Sequence, residues 1–459
     1  MYDNRDQIDL GNGEIGRLFA SLFVPTLLGM LFNMAFIFTD GIFVGHGIGG
    51  HGLAAINLVG PMMMFINGLG MMLGMGASVV AAIHLSHGNV KAARINVTQA
   101  FVTGISCSLL MAAVCYLMPD TVLRLLGATG ALYPYAREYY LWFMPTCLLN
   151  MVTSIGMFAI RLDGSPRYAM LSNIVPAIVN GVLDYIFIFP LQWGLMGASL
   201  ATDIGGLVGT VMVLHYMLFR TNTLRPYRLK ATSTSLRLML RNVGYMVRTG
   251  LSGFVGEIAV GAMMLTGNWV FKQHLGDQGV AAYSVTCYLF PLVYMVYNAV
   301  AASAQPILSF NYGKGDRQRV HHTLLFGLIV SIALGLAVSA LFYFFAPSVV
   351  SCFLSTSAPA YDLAAKGLPY YASGFVFMAI NICVVGYLQS VERSGLAIIY
   401  TLMRGVVLLV AAFMVLPQVM GVPGLWLSVP AAEALTTVGV LIFVIKNRRG
   451  AQLNEGSSY

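Results

Sequence analysis

Five carboxylates stand inside long apolar runs of this chain: Asp40, Asp184, Asp203, Glu257 and Glu433. A charge at the centre of a membrane-buried helix costs about 2.5 to 3.5 kcal/mol on insertion scales, so each acid needs an interior partner or a wet cavity. Spacing joins some of them to other oxygens. Asn180 and Asp184 are four residues apart, as are Ala198 and Thr202, so each pair falls on one face of a helix. With Asp40 they offer two carboxylates, an amide oxygen, a hydroxyl and the Ala198 carbonyl. Such a hard, all-oxygen set suits a small cation, Na+ or H+, rather than a soft transition metal. The same residues also allow an architectural reading, in which Asp40 and Asp184 bond to Tyr139, Asn180 or Thr202 and hold helices together. Asp203 follows Thr202 and points about 100° away on the helix, so it either lines the same cavity or pairs elsewhere. Glu433 reads as a satisfied structural acid.

Composition sets the elements that must carry these groups. Of 459 residues 58% are apolar and 9% charged, with a mean hydropathy of +0.78; a soluble protein would be about 25% charged. Apolar runs long enough to span a bilayer fall near 17–44, 53–83, 95–117, 135–160, 168–190, 195–219, 244–271, 280–309, 323–346, 366–389, 394–416 and 422–445. The expected fold is therefore an all-α polytopic membrane protein with twelve transmembrane helices. With both termini cytoplasmic, only Arg124, Arg137, Lys272 and Lys366 of the 25 Lys and Arg lie outside, and all the others, Arg404 among them, lie inside. That is the positive-inside bias, and it places the chain in a cytoplasmic membrane with charge between spans rather than in a nucleic-acid-binding patch. Asp3, Asp6, Asp9 and Glu14 precede the first run, unlike the basic start of a cleaved signal peptide, so the first span should be retained.

Residues 220–248 carry seven basic residues and no acid near the middle of the chain, and 220–243 reads as a cytoplasmic linker. On either side the sequence repeats. Gly52-Leu53-Ala54-Ala55 returns as Gly279-Val280-Ala281-Ala282, Ala77-Ser78 as Ala302-Ser303, and Pro190 and Gly197 as Pro417 and Gly424. Two pseudo-symmetric six-helix bundles follow, 1–219 and 244–446, with a polar tail at 447–459. Parallel halves of this kind occur in secondary transporters. At the repeat offset Asp40 faces Gly267 and Asp184 faces Ala411, so neither acid recurs. Gly45-His46-Gly47-Ile48-Gly49-Gly50 matches GxGxxG but follows a membrane helix and reads as an extracellular turn. No HExxH, GxSxG, Walker A or CxxC pattern is present, so nothing points to an enzyme, and no cofactor is implied. Pro25 breaks a backbone hydrogen bond in span 1 and is the expected hinge. The 27 Met and 26 Phe suit lipid-facing and helix-packing surfaces, with some left for an adaptable cavity wall.

The run Phe38-Thr39-Asp40-Gly41-Ile42-Phe43-Val44-Gly45, with Asn180-Gly181-Val182-Leu183-Asp184-Tyr185 and Gly197-Ala198-Ser199-Leu200-Ala201-Thr202, resembles the multidrug and toxic compound extrusion (MATE) family. The resemblance runs from about residue 15 to 446 and is nearest to prokaryotic members with an acidic site in the N-terminal half. It implies an antiporter that exports cationic or amphipathic organic compounds against inward Na+ or H+. It also places the ion site on Asp40, Asn180, Asp184, Thr202 and Ala198. Glu257, on span 7, is then the second-half candidate for a cationic substrate or an ion, with Tyr139 and Asp203 as further residues of the substrate cavity. Span 10 holds Asn381 and Gln389 where other branches carry an aspartate. The expected state is a monomer in the lipid bilayer. The alternatives are a lipid or lipid-linked saccharide flippase of the same superfamily, against which the acidic in-span charge argues, and a membrane receptor or enzyme subunit.

Overall fold

The computed structural model describes residues 8–126, 128, 130–221, 223–230 and 232–455. Asp3, Asp6 and the last residues of the tail, 456–459, lie outside them. The first half holds α1 (Ile15–Gly47), α2 (Gly50–Ser86), α3 (Val90–Leu117), α4 (Pro119–Leu125), α5 (Tyr133–Leu162), α6 (Pro166–Ile188) and α7 (Gly194–His215), which a π-helical turn extends to Arg220. Then come α8 (Ser233–Lys314), α9 (Arg317–Phe344), α10 (Ala346–Ser351), α11 (Pro359–Ala372) and α12 (Phe375–Ser390). Last are α13 (Ser394–Leu402), a π-helical turn over Met403–Val407, α14 (Leu408–Met420) and α15 (Val422–Glu455). Among the described residues there is no strand.

Among the described residues nine helical stretches are each long and apolar enough to cross a bilayer, and α11 with α12 makes another crossing bent by 47°. The helix α8 is two crossings, because Gly276 interrupts it at φ 64°, ψ −153°. With α15 the chain has twelve membrane-crossing helices, in two six-helix bundles. Their outer faces are apolar and open to lipid: Leu117, Leu265 and Val419 are each at least three-quarters exposed. Helix α8 begins inside the segment that reads as a linker. The Thr232 hydroxyl accepts from Ser235 N–H at 3.2 Å and caps it, so the chain is non-helical only up to that point. The helix α15 likewise runs on to Glu455, past the end of the last expected span.

By contact the chain divides into two compact units. The first contains Met1–Ile258, Ala302–His321 and Gln389–Ser394, and the second Ala259–Ala301, His322–Leu388 and Gly395–Tyr459. In the first unit α2 and α8 cross with backbones in contact. A Cβ on Gly76 would lie 2.0 Å from the Met246 carbonyl oxygen, and one on Gly250 1.9 Å from that of Met72. Only glycine fits, the close approach that small residues give to membrane helices. The segment before α1 is tied to the far end of α8: Asn311 Nδ2 donates to Leu10 O at 2.9 Å and Arg319 Nη2 to Gly13 O at 2.7 Å. In the same turn Asp9 accepts from the Asn12 side chain and from Gly11 N–H, bonds that hold its carboxyl below the usual carboxylate range.

In the second unit the core is aromatic. Phe271 stacks on Tyr283 at 4.5 Å and meets Trp426 edge-on at 5.0 Å. A Cβ on Gly267 would lie 2.3 Å from the Tyr283 ring. The position that answers to Asp40 in the repeat is thus filled by a ring, with no room for a carboxylate. Arg404 is a correction: instead of lying on the cytoplasmic side, it is buried within the eleventh crossing. There its Nη2 and Nε reach Glu433 Oε1 at 2.8 and 3.1 Å. The pair is closed by Asn381 Nδ2, which donates to Glu433 Oε2 at 2.7 Å, and by Thr437, which donates to Asn381 Oδ1 at 3.0 Å. A guanidinium so deep in an apolar run is held there by its counter-ion.

Candidate functional site

Helix α6 is the spine of the site. Asn180 Nδ2 donates to Asp184 Oδ2 at 2.7 Å across one helical turn, and both residues are buried. Helix α7 can lie against this face because it presents glycine there. A Cβ on Gly205 would meet Asn180 Cβ at 2.8 Å, and one on Gly209 the Pro176 ring at 3.1 Å. Helix α1 closes on the other side, with Gly29 against Met170 and Asn173.

That packing brings Asp40 to Asp184. The two carboxyl groups are within hydrogen-bonding reach of each other, and Oδ1 of each is buried with no hydrogen-bond partner among the described residues. Two carboxylates cannot bond to each other without something positive between them. A proton or a small cation supplies it. Among the described residues neither Asp40 nor Asp184 forms a salt bridge with a Lys or Arg side chain.

Thr202 Oγ1 donates to Ala198 O at 3.1 Å on its own helix, which leaves the hydroxyl lone pairs as acceptors. Ala198 and Tyr139 belong to one apolar cluster with Phe143, Ile188 and Leu195 around this end of the bundle. Tyr139 stacks on Phe143, its carbonyl accepts from Ser199 Oγ at 3.3 Å, and its phenol lies within electrostatic range of Asp40, Asp184 and Asp203 together. Asp203 turns toward α5, where Thr146 Oγ1 donates to its Oδ1 at 2.5 Å. Thr146 had no signal in the sequence beyond being a hydroxyl in an apolar run.

Glu257 is apart from this group. It sits on α8 where α2 passes, its Cβ 3.4 Å from a Cβ built on Gly68, next to the edge-on pair Phe65 and Phe254. Among the described residues it has no hydrogen-bond partner or ion pair. On α2 and α5, Asn150 Nδ2 donates to Asn67 Oδ1 at 2.6 Å, and Ser154 to Asn150 at 3.1 Å. Asn67 is exposed in mid-helix, with Asn150 as its side-chain partner. Pro25 is buried within α1, fifteen residues before Asp40.

Asp40 and Asp184, with Asn180 beside them, offer hard oxygens of the kind a small cation takes. They equally fit a proton, for which the facing carboxyls suffice.

The family model described as MatE matches residues 25–186 and 254–414. The chain is 22% identical over 453 residues to a FAD transporter of Shewanella oneidensis, covering 97% of each protein. It is 21% identical over 427 residues to the multidrug export protein MepA of Staphylococcus aureus, covering 92% of this chain and 91% of that protein. A solved structure of a multidrug resistance MATE family transporter, in an outward-facing conformation, superposes with a TM-score of 0.89 at 22% identity, over 98% of this chain and 99% of the other.

Proposed function

This chain belongs to the MatE family, and we propose that it is a cation-coupled antiporter that exports cationic or amphipathic organic compounds across the cytoplasmic membrane by alternating access. The observation that carries the proposal is the pair Asp40 and Asp184, facing each other with a buried, unpartnered oxygen on each among the described residues. Here H+ or Na+ binds from outside. Asn180 and Thr202 add oxygens for sodium. Neutralising the pair removes the repulsion between the two carboxylates, and α1 then bends at Pro25 and closes the space that substrate occupies. Substrate and cation compete, so the coupling is reciprocal.

Glu257 gives the substrate path an acidic group beside the aromatic Phe65 and Phe254, while Tyr139 and Asp203 stay with the buried carboxylates. This favours cations, in keeping with the name of MepA as a multidrug export protein. The relative that carries FAD argues for testing an anionic substrate beside them. A flippase of the same superfamily is the weaker reading, since a phosphate would meet acids rather than bases along this path.

The test is dye efflux in inside-out vesicles with the sodium and proton gradients imposed one at a time. Efflux driven by either gradient supports antiport. Efflux indifferent to both, or lipid translocation without drug efflux, refutes it.

A further inference from the structure

A cavity of about 520 Å³ lies in the first unit where α2 ends, α3 begins and the early turns of α8 pass the turn between α12 and α13. This is the size of a small-molecule pocket. One wall is apolar, from Val80, Ile83 and Ile95; the rim carries Arg241, Tyr245 and Glu392.

Glu392 is the informative residue. The turns Asp163–Ser165 and Val391–Arg393 occupy the same place in the two halves, each joining the fourth crossing to the fifth. The first uses Gly164 at φ +84°, while the second holds Glu392 at φ +60°. Glycine adopts that conformation freely and a glutamate rarely does. Holding a glutamate in that conformation is strained, and the strain points to a use for its carboxylate. Tyr245 Oη donates to Glu392 Oε1 at 2.5 Å, which fixes the carboxylate at the rim. His84 also lines the cavity. Among the described residues Glu392 and Arg241 form no ion pair with each other, so one cavity presents an anion and a cation beside an apolar wall.

We propose that this cavity is a docking vestibule for amphipathic organic compounds that carry both a basic and an acidic group. Glu392 takes the ammonium, Arg241 the acid, and Val80, Ile83 and Ile95 the apolar body. The proposal rests on the exporter reading and its orientation, which puts these helix ends on the cytoplasmic face where substrate is collected.

The test reads the cavity itself. Full-length Ile95→Cys protein in lipid nanodiscs is labelled with a maleimide, and labelling at position 95 is followed by peptide mass spectrometry. A zwitterionic fluoroquinolone and its methyl ester serve as probes. The acid should slow labelling. Glu392→Gly, which suits the backbone and so keeps the fold, should raise the concentration needed for protection at least tenfold. Arg241→Gln should do the same for the acid but not for the ester. No protection, protection unchanged in Glu392→Gly, or an equal effect of Arg241→Gln on acid and ester would each overturn the proposal. Site-local protection without gradient-driven efflux would sink the exporter reading and leave the vestibule. Gradient-driven efflux with no protection would do the reverse.

Discussion

Replacing Arg404 with methionine tests how the second bundle tolerates an ion pair in its interior. Both of its contacts with Glu433, at 2.8 and 3.1 Å, end on the same oxygen. Their loss leaves a carboxylate less than a tenth exposed with Asn381 as its side-chain donor. Breaking one side of such a pair costs about 3 to 5 kcal/mol, roughly a 200- to 5,000-fold change in the folding equilibrium. The pair need not itself be stabilising, because desolvation of both ions offsets most of their attraction. Arg404→Met combined with Glu433→Gln removes both charges, keeps the amide contact to Asn381 and should recover to within about 1 kcal/mol of the parent. The assay is equilibrium unfolding in mixed detergent micelles of the parent, Arg404→Met, Glu433→Gln and the double variant. Single variants within about 1 kcal/mol of the parent, or a double variant as damaged as the sum of the two, would refute the reasoning.

Gly250→Ala should disrupt the α2–α8 crossing by at least about 3 kcal/mol, because the clash is with backbone and neither helix has a side chain to move; a monodisperse, thermally unchanged variant on size-exclusion chromatography would contradict this. Asn180→Ala and Thr202→Ala should weaken sodium binding by about 10- to 100-fold and proton-driven efflux far less, since a proton needs only the carboxyls; sodium-dependent thermal shift and efflux under each gradient measure the two. Glu257→Gln should raise the half-saturating concentration of a cationic dye about tenfold, near 1.4 kcal/mol, and leave the ion response intact. Loss of all ion dependence with unchanged dye binding would move the coupling site to Glu257.

The twelve crossings were legible because lipid imposes hydropathy on every one of them, and the expected spans fall on the observed helices to within a few residues at most ends. Less legible were the places where polarity and helicity part company. The basic linker becomes helical at Ser233 once Thr232 caps it, and the two crossings of α8 meet at the single non-helical residue Gly276, where the sequence shows only a polar gap. For the site, spacing within one helix was enough to pair Asn180 with Asp184. It was not enough to show that Asp203 turns to Thr146 or that Arg404 leaves the cytoplasmic side for Glu433. Those partners lie 57 and 29 residues apart, on different helices, and no periodicity along one chain reports which faces meet. Arg404 did carry a signal, its position ten residues into an apolar run, which a charge tally by side of membrane obscured.

The pairing of Asp40 with Asp184 is the centre of the account, and gradient-driven dye efflux by the Asp40→Asn, Asp184→Asn double variant measures it most directly. The variant keeps the shape of both side chains and removes the charge, so it should insert and fold as the parent does, checked by size-exclusion profile and melting temperature. The account predicts that efflux in inside-out vesicles falls to the level of empty vesicles under either a proton or a sodium gradient. Efflux at the parent rate under either gradient, from correctly folded double variant, would contradict it.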